Sequence, residues 1–276
     1  MTRPVPFFKM SGAGNDFIVL VEPEAPPSPS TVRAWCRRGM SLGADGIILL
    51  SRQPTGARMV HLNADGSESE LCVNGSRCAA RLAFHLDWAQ SRLDLDTASG
   101  RIDAYDEDDR IRLVLPFEHI EVTPFTTDEA TGFFCSVGVP HAVVWVEDLA
   151  ATPVARLGAR LRHHRHFAPA GVNVDFAHVV DAHHVELRTF ERGVEAETLA
   201  CGSGAVATAV VGQHTGRLAS PLRIDTAGGA SLHVELEPGQ AIVIRGEARI
   251  VATGELMPGA VDLPAAPSWG PSGEAG

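Results

Sequence analysis

Two cysteines in this chain each stand where an extended segment gives way to a helical pattern. The first lies in residues 63–81, NADGSESELCVNGSRCAAR, and the second in residues 191–209, ERGVEAETLACGSGAVATA. Cys72 and Cys201 are 129 positions apart, and Gly75 and Gly204 keep that offset. Residues 18–22 (IVLVE) and 143–147 (VVWVE) repeat at an offset of 125. The chain reads as two diverged copies of one unit, each holding a cysteine at a helix start. A helix N-terminus exposes unpaired N–H groups and the positive end of the dipole, and both favour an anion. The position predicts a thiol that ionises below its free value of about 8.5, beside N–H groups able to hold a carboxylate. Two such ends facing one another suit a reaction that takes a proton from one face of a carbon and returns one to the other.

The elements that position these thiols follow from the pattern of apolar residues. Residues 7–9 and 17–22 read as strands around a Gly-Asn-Asp turn, and Ser30 as the cap of a short helix stopping at Gly39. Residues 47–50 and 58–63 read as strands, the second delivering the chain to Cys72. Ala79, Leu82, Ala83 and Leu86 fall at helical spacing, so the helix after Cys72 is buried on at least one face. Leu93, Leu95 and Thr97 alternate, as do Ile111, Leu113 and Leu115, which predicts a meander with the acidic run 106–109 as a solvated turn. In the second half, residues 143–147, 172–180, 184–190 and 242–244 read as strands, as do the alternating Leu232, Val234 and Leu236. Residues 154–161 read as a helix, and the Ala- and Val-rich helix after Cys201 is apolar enough to centre its own domain.

Composition narrows the classes. A net charge of −11 argues against a nucleic-acid partner, and no apolar run approaches the roughly 20 residues of a membrane span. The start of the chain lacks a signal-peptide core, so the cytoplasm is the expected compartment. Five cysteines form no disulfide framework, and without a CxxC pair no metal site is expected. Cys36, Cys78 and Cys135 read as structural. His163, His164 and His166 read as a solvated face with no paired carboxylate. Lys9 is the only lysine and lies outside any recognisable pyridoxal phosphate site, so the expected chemistry uses no cofactor. A small-molecule substrate and a second copy of the chain, as a homodimer, are the partners left to expect.

At 12–17 (GAGNDF), 63–78, Pro140–His141, Val172–Asn173 and 191–204, in that order, the chain resembles the diaminopimelate epimerase family. The resemblance runs over nearly the whole chain up to about Pro258. It implies an α/β (α+β) fold of two pseudo-symmetric domains, each a curved sheet or β-roll around a central helix, with the site in the cleft between them. The corresponding boundaries are 1–118 and 119–258, followed by a Pro-, Ala- and Gly-rich tail, 259–276, expected to be mobile. The resemblance further implies a cofactor-free epimerase acting on diaminopimelate with Cys72 and Cys201 as its two acid–base groups. Asn15, Asn63, Asn173 and Arg192 would bind substrate, the last three at its far end. Val73–Asn74 and Gly202–Ser203 would hold the reacting carboxylate, while His141 and Glu191 would tune the protonation of the thiols.

Three departures stand against that pattern. Val73 replaces a glycine after the first cysteine, and its branched side chain could crowd the substrate. Val139 replaces an asparagine before Pro140–His141, and the segment from Gly193 to Glu197 is one residue longer than the shortest family versions. The first two leave substrate identity open to another amino acid, such as histidine. A proline racemase of the same superfamily is a rival, though it calls for a histidine where this chain has Asn74. A non-catalytic thiol or amino-acid-binding protein is a rival of another class, and it would need no matched pair of helix-start cysteines.

Overall fold

The computed structural model describes residues 3–117, 119–236, 239 and 241–261. The first half runs β1 (Val5–Gly12), β2 (Asn15–Val21), α1 (Pro29–Cys36), β3 (Gly46–Gln53), β4 (Gly56–Asn63), α2 (Val73–His85), β5 (Arg92–Thr97), β6 (Gly100–Glu107) and β7 (Arg110–Leu115). The second half runs β8 (Thr123–Thr126), β9 (Thr131–Val137), β10 (Val139–Trp145), α3 (Val154–Arg162), β11 (Asn173–Asp181), β12 (His184–Glu191), β13 (Ala196–Thr198), α4 (Gly202–His214), β14 (Leu222–Thr226), β15 (Ser231–Glu235) and β16 (Ile242–Glu247). A last strand, β17 (Arg249–Leu256), follows.

The two halves pair their strands in the same order. Within β1 to β7 the neighbours are antiparallel, parallel, antiparallel, parallel, antiparallel, antiparallel. The series β9, β10, β11, β12, β14, β15, β16 repeats that sequence of directions. β7 pairs antiparallel with β16 and joins the two series into one sheet of seventeen strands. The outer strands are exchanged. β8 pairs with β9, whereas β17, which follows the second half, crosses back to pair with β1. This is the mixed α+β architecture that the sequence resemblance implies.

Helices α2 and α4 fill the inside of the two halves and share one apolar core. Both are buried along almost their whole length, as an apolar helix wrapped by strands must be. The outer faces carry smaller cores, one under α1 with Trp35 and Val32 against Ile18, Leu20 and Ile47, and one under α3 with Val154 and Leu161 near Phe176 and Phe190.

Local details differ from expectation. Ser28, not Ser30, caps α1: its hydroxyl accepts from the Thr31 N–H at 3.2 Å, and the helix ends at Cys36 rather than Gly39. Pro29 is the reason, since its fixed φ and missing N–H suit the first helical position and place the cap at Ser28, two residues before Ser30. Asn15 and Asp16 belong to β2. The left-handed turn residues are Ala13 and Gly14, at φ of 58° and 106°. The alternation of residues did not reveal β6, β8, β9, β13, β14 or β17. Of the expected tail, residues 259–261 belong to a 3-10 turn, Pro258–Val261, whose Ala260 carbonyl accepts from the Ser41 hydroxyl; residues 262–276 lie outside the described residues. Among the described residues, no helix is long and apolar enough to cross a membrane.

Several buried side-chain polar atoms lack partners among the described residues, and two of them belong to one residue. His61 on β4 is 8% exposed, and neither ring nitrogen has a hydrogen-bond partner. Its ring stands edge-on to Phe17, in space left by Gly46, where a Cβ would lie 2.5 Å from Nε2. Burial pushes its pKa down to about 4. The folded ring therefore resists a proton that the unfolded chain accepts below about 6.5, and the stability it permits is full above that value and lost as pH falls towards 4. Each unpaired buried nitrogen costs about 1–3 kcal/mol. His61→Leu is expected to raise the thermal midpoint, and by more at about pH 5 than at about pH 8. Melting scans at the two pH values check this, and a variant less stable than wild type at both would sink it.

Candidate active site

Cys72 and Cys201 are the N-cap residues of α2 and α4. Both have extended backbones (φ −132°, ψ 94° and φ −122°, ψ 111°), and each helix runs thirteen residues. The Cys72 sulfur accepts from the Gly75 N–H at 3.2 Å, and the Cys201 sulfur from the Gly204 N–H at 3.3 Å. A thiol here occupies the place of the serine or asparagine oxygen in an ordinary cap. The two helix starts abut. A Cβ on Gly202 would lie 2.8 Å from the Val73 Cβ and 2.7 Å from the Asn74 Oδ1, so only glycine fits there. Val73 is 2% exposed and points at Gly202, so its branched side chain packs the helix contact instead of crowding an open site. Among the described residues, the N–H groups of Val73, Asn74, Gly202 and Ser203 have no hydrogen-bond partner. Four free donors meet beside two thiols.

A polar network ties this centre to its surroundings. The Asn74 amide donates to the Asn15 Oδ1 and, at 3.0 Å, to the Ala200 carbonyl just ahead of Cys201. Asn15 in turn donates to Asp45 at 3.1 Å. Asn63 donates to the Ser67 hydroxyl at 3.0 Å. Asn173 donates to the Pro140 carbonyl at 3.3 Å and accepts from the Arg192 N–H at 2.8 Å. The Arg192 guanidinium reaches Glu70 of the first half at 3.3 Å. Glu191 accepts from the Thr198 hydroxyl at 2.5 Å, and Ser203 lies 3.5 Å from the Cys201 sulfur. His141 is fully buried, with Nδ1 2.7 Å from Asp175, whose other oxygen accepts from Thr189 at 2.8 Å. Asp175 lies under the start of α4, where a Cβ on Gly204 would meet its carboxyl at 2.3 Å.

Asn74 bonds Asn15, Asn173 bonds the Arg192 N–H, and Glu191 bears on both thiols, whereas the Asn63 side chain bonds Ser67 of its own loop; the thiols are not in the ionisation state expected of helix starts. Burial pushes the Cys72 pKa up to about 12 and that of Cys201 well above its ordinary value. Each sulfur receives only one N–H, and that bond does not offset the loss of water. Burial likewise pushes the Glu191 carboxyl up to about 7, against the opposing Thr198 hydrogen bond.

Several neighbours escaped the sequence reading. Glu70 and Thr198 lie inside the two cysteine stretches but were not singled out there, and Asp175 lies two residues beyond Asn173, on the same side of β11. His163 and His164 have carboxylate partners after all, Glu195 at 2.9 Å and Asp128 at 2.8 Å, both brought from distant segments. Among the described residues, no group of three or more His, Cys, Asp or Glu is placed to hold a metal ion. Cys36, Cys78 and Cys135 are buried free thiols in the packed interior.

Known proteins share both sequence and fold. The family model described as diaminopimelate epimerase matches residues 7–115 and 133–251. The diaminopimelate epimerase of Aquifex aeolicus is 34% identical over 270 residues, covering 91% of this chain and 97% of the relative. That of Aromatoleum aromaticum is 37% identical over 273 residues, covering 91% and 98%. Among solved structures, a hydroxyproline epimerase from Agrobacterium vitis with bound trans-4-hydroxy-L-proline superposes with a TM-score of 0.74 at 17% identity, covering 98% of each chain. At that identity the likeness is one of fold.

Glu191 supplies a test of the electrostatics. Because its folded-state pKa is raised, the stability it allows is present below the ordinary carboxylate range and is lost as pH rises through about 7. Glu191→Gln, neutral throughout, is expected to melt close to wild type at about pH 4 and above it at about pH 8. A difference in thermal midpoint that is the same at both pH values would remove Glu191 as the titrating group.

Proposed function

The chain belongs to the diaminopimelate epimerase family, and we infer from that membership and the paired helix starts that it is an isomerase interconverting L,L- and meso-2,6-diaminopimelate without a cofactor. The observation that carries this reading is the abutment of two cysteine-capped helices with four free N–H donors between them. In the forward direction one cysteine, as thiolate, takes the Cα proton and becomes a thiol. The other gives its S–H proton to the opposite face of the carbanion and becomes a thiolate. Reversal exchanges the roles. The N–H groups of Val73, Asn74, Gly202 and Ser203 hold the reacting carboxylate, where they meet the negative charge that builds as the C–H bond breaks. Asn63, Asn173 and Arg192 receive the distal end of the substrate, and Asn15 keeps Asn74 in place. His141 and Glu191 adjust the charge felt by the thiols.

The same reading treats residues 1–118 and 119–258 as two units that close on the substrate and expel water. Lys9 is unsuited to carry a Schiff-base cofactor, since its amine is held by Asp16 at 2.6 Å. The compartment is the cytoplasm, in keeping with a biosynthetic role in lysine supply. A second copy is the macromolecular partner retained: β17 has no strand partner beyond β1 among the described residues, and Val251 on it is 60% exposed.

Hydrogen exchange tests the reaction directly. In heavy water, starting from pure L,L-diaminopimelate, the product formed early is expected to carry deuterium at the inverted carbon, while unreacted substrate stays almost unlabelled. Proton NMR at early conversion reads this, and early product that is mostly protium would refute the two-thiol assignment. The Arg192–Glu70 pair supplies a second test. Glu70 is 68% exposed at the side chain and occupies the guanidinium intended for the distal carboxylate. Glu70→Gln is expected to lower KM for diaminopimelate by about two- to fivefold with little change in kcat, as suits removal of a weak exposed competitor. A raised KM would show that Glu70 holds Arg192 in its working position.

A further inference from the structure

The two helix starts match in backbone and differ in what lies behind them. Five residues after Cys72 comes Arg77; the residue at the 129-position offset, five after Cys201, is Val206. Arg77 is completely buried, and no carboxylate pairs with it among the described residues. Its Nη2 donates to the Asn74 Oδ1 at 2.6 Å and its Nε to the Glu247 carbonyl at 3.4 Å, while Nη1 has no partner. The planar group lies against Gly246 of β16, where a Cβ would come within 3.0 Å of Nε. Burying an arginine with neutral acceptors alone is costly, and a side chain that only filled space would be apolar there, as Val206 is.

Arg77 acts on two things. First, it occupies the Asn74 carbonyl oxygen, which fixes the amide so that its N–H groups point to Asn15 and the Ala200 carbonyl. Asn74 thereby bridges the start of α2 and the residue preceding Cys201. Second, its charge sits at the start of α2, bonded to the side chain two residues beyond Cys72. The groups bearing on Cys72 are the Gly75 N–H and Arg77, which favour the thiolate, and Glu191 and Asp45, which oppose it. Those bearing on Cys201 are Glu191 and Asp175, which oppose ionisation, and the Ser203 hydroxyl and Gly204 N–H, which favour it. The Arg77 guanidinium itself is faced by Cys72 and Cys78 on α2 and by Glu247 on β16. The only full positive charge in this set lies on the Cys72 side.

We propose that Arg77 is a positioning residue for the two-thiol reaction: it locks Asn74 as the bridge between the helix starts and makes Cys72 the first of the two thiols to ionise. The proposal rests on the two-thiol reading, but half of its test needs no substrate. In wild-type protein, iodoacetamide alkylation followed across pH and assigned by peptide mass is expected to give Cys72 a lower midpoint than Cys201. In Arg77→Met the Cys72 midpoint rises by roughly one unit or more while that of Cys201 stays in place. In Arg77→Lys the charge remains but the Nη2 bond to Asn74 is lost. The Cys72 midpoint then holds, while kcat for diaminopimelate falls by about tenfold with KM little changed.

A folded Arg77→Met protein with an unmoved Cys72 midpoint overturns the proposal, as does a wild-type midpoint lower at Cys201. If Arg77→Met does not fold, Arg77→Lys decides alone: kcat within about twofold of wild type overturns the positioning role. A wild-type protein inert towards diaminopimelate would overturn the substrate assignment instead and leave the alkylation profiles to judge Arg77.

Discussion

Two helix N-termini meet head to head at the centre of this molecule, and that contact is unfavourable by itself. Each end carries the equivalent of about half a positive charge, so like faces like. Contacts with no charge requirement hold them together: Val73 against Gly202, and the Asn74 amide against the Ala200 carbonyl. Such a junction favours an anion. A carboxylate bound there would relieve the repulsion, and a carbanion conjugated to it would relieve it further. The rest of the fold, with one buried helix per half and a continuous sheet wrapped around both, keeps the two ends in register until that charge arrives.

The thiols illustrate how one favourable term can be outweighed. A helix start lowers the pKa of an exposed cysteine, but Cys72 and Cys201 are surrounded by apolar residues and carboxylates, and desolvation dominates. Thiols that stay protonated in the resting protein are protected from oxidation and alkylation. A thiolate formed in such surroundings is a stronger base than that of a free cysteine. The local cost is thus linked to the strength of the base available for a weakly acidic C–H bond.

Much of this was legible in the sequence, and the physical reason is periodicity. The cysteine-capped helices, the repeated offset and most inner strands show apolar residues at regular spacing because they face one core. β17 was not legible because all but two of its eight residues are exposed, so no alternation marks it. β8 is only four residues long. Asp175 and Arg77 were missed for a different reason. Each is a charged residue on a buried element, and sequence does not show which distant group it meets. Ser28 could have been found, since Pro29 directly after it is a helix-start signal.

The exchange of β8 and β17 limits how the chain can be divided. Each half borrows its outermost strand from the segment that follows the other half, so a cut in the turn between β8 and β9 yields two fragments, neither of which pairs its own outermost strand. A fragment of one half would carry a trailing strand with no local partner and a first strand with an open edge. Two copies of such a fragment could satisfy both deficits only by trading strands. The single chain therefore has the connectivity of a strand-exchanged dimer whose subunits have been fused end to end.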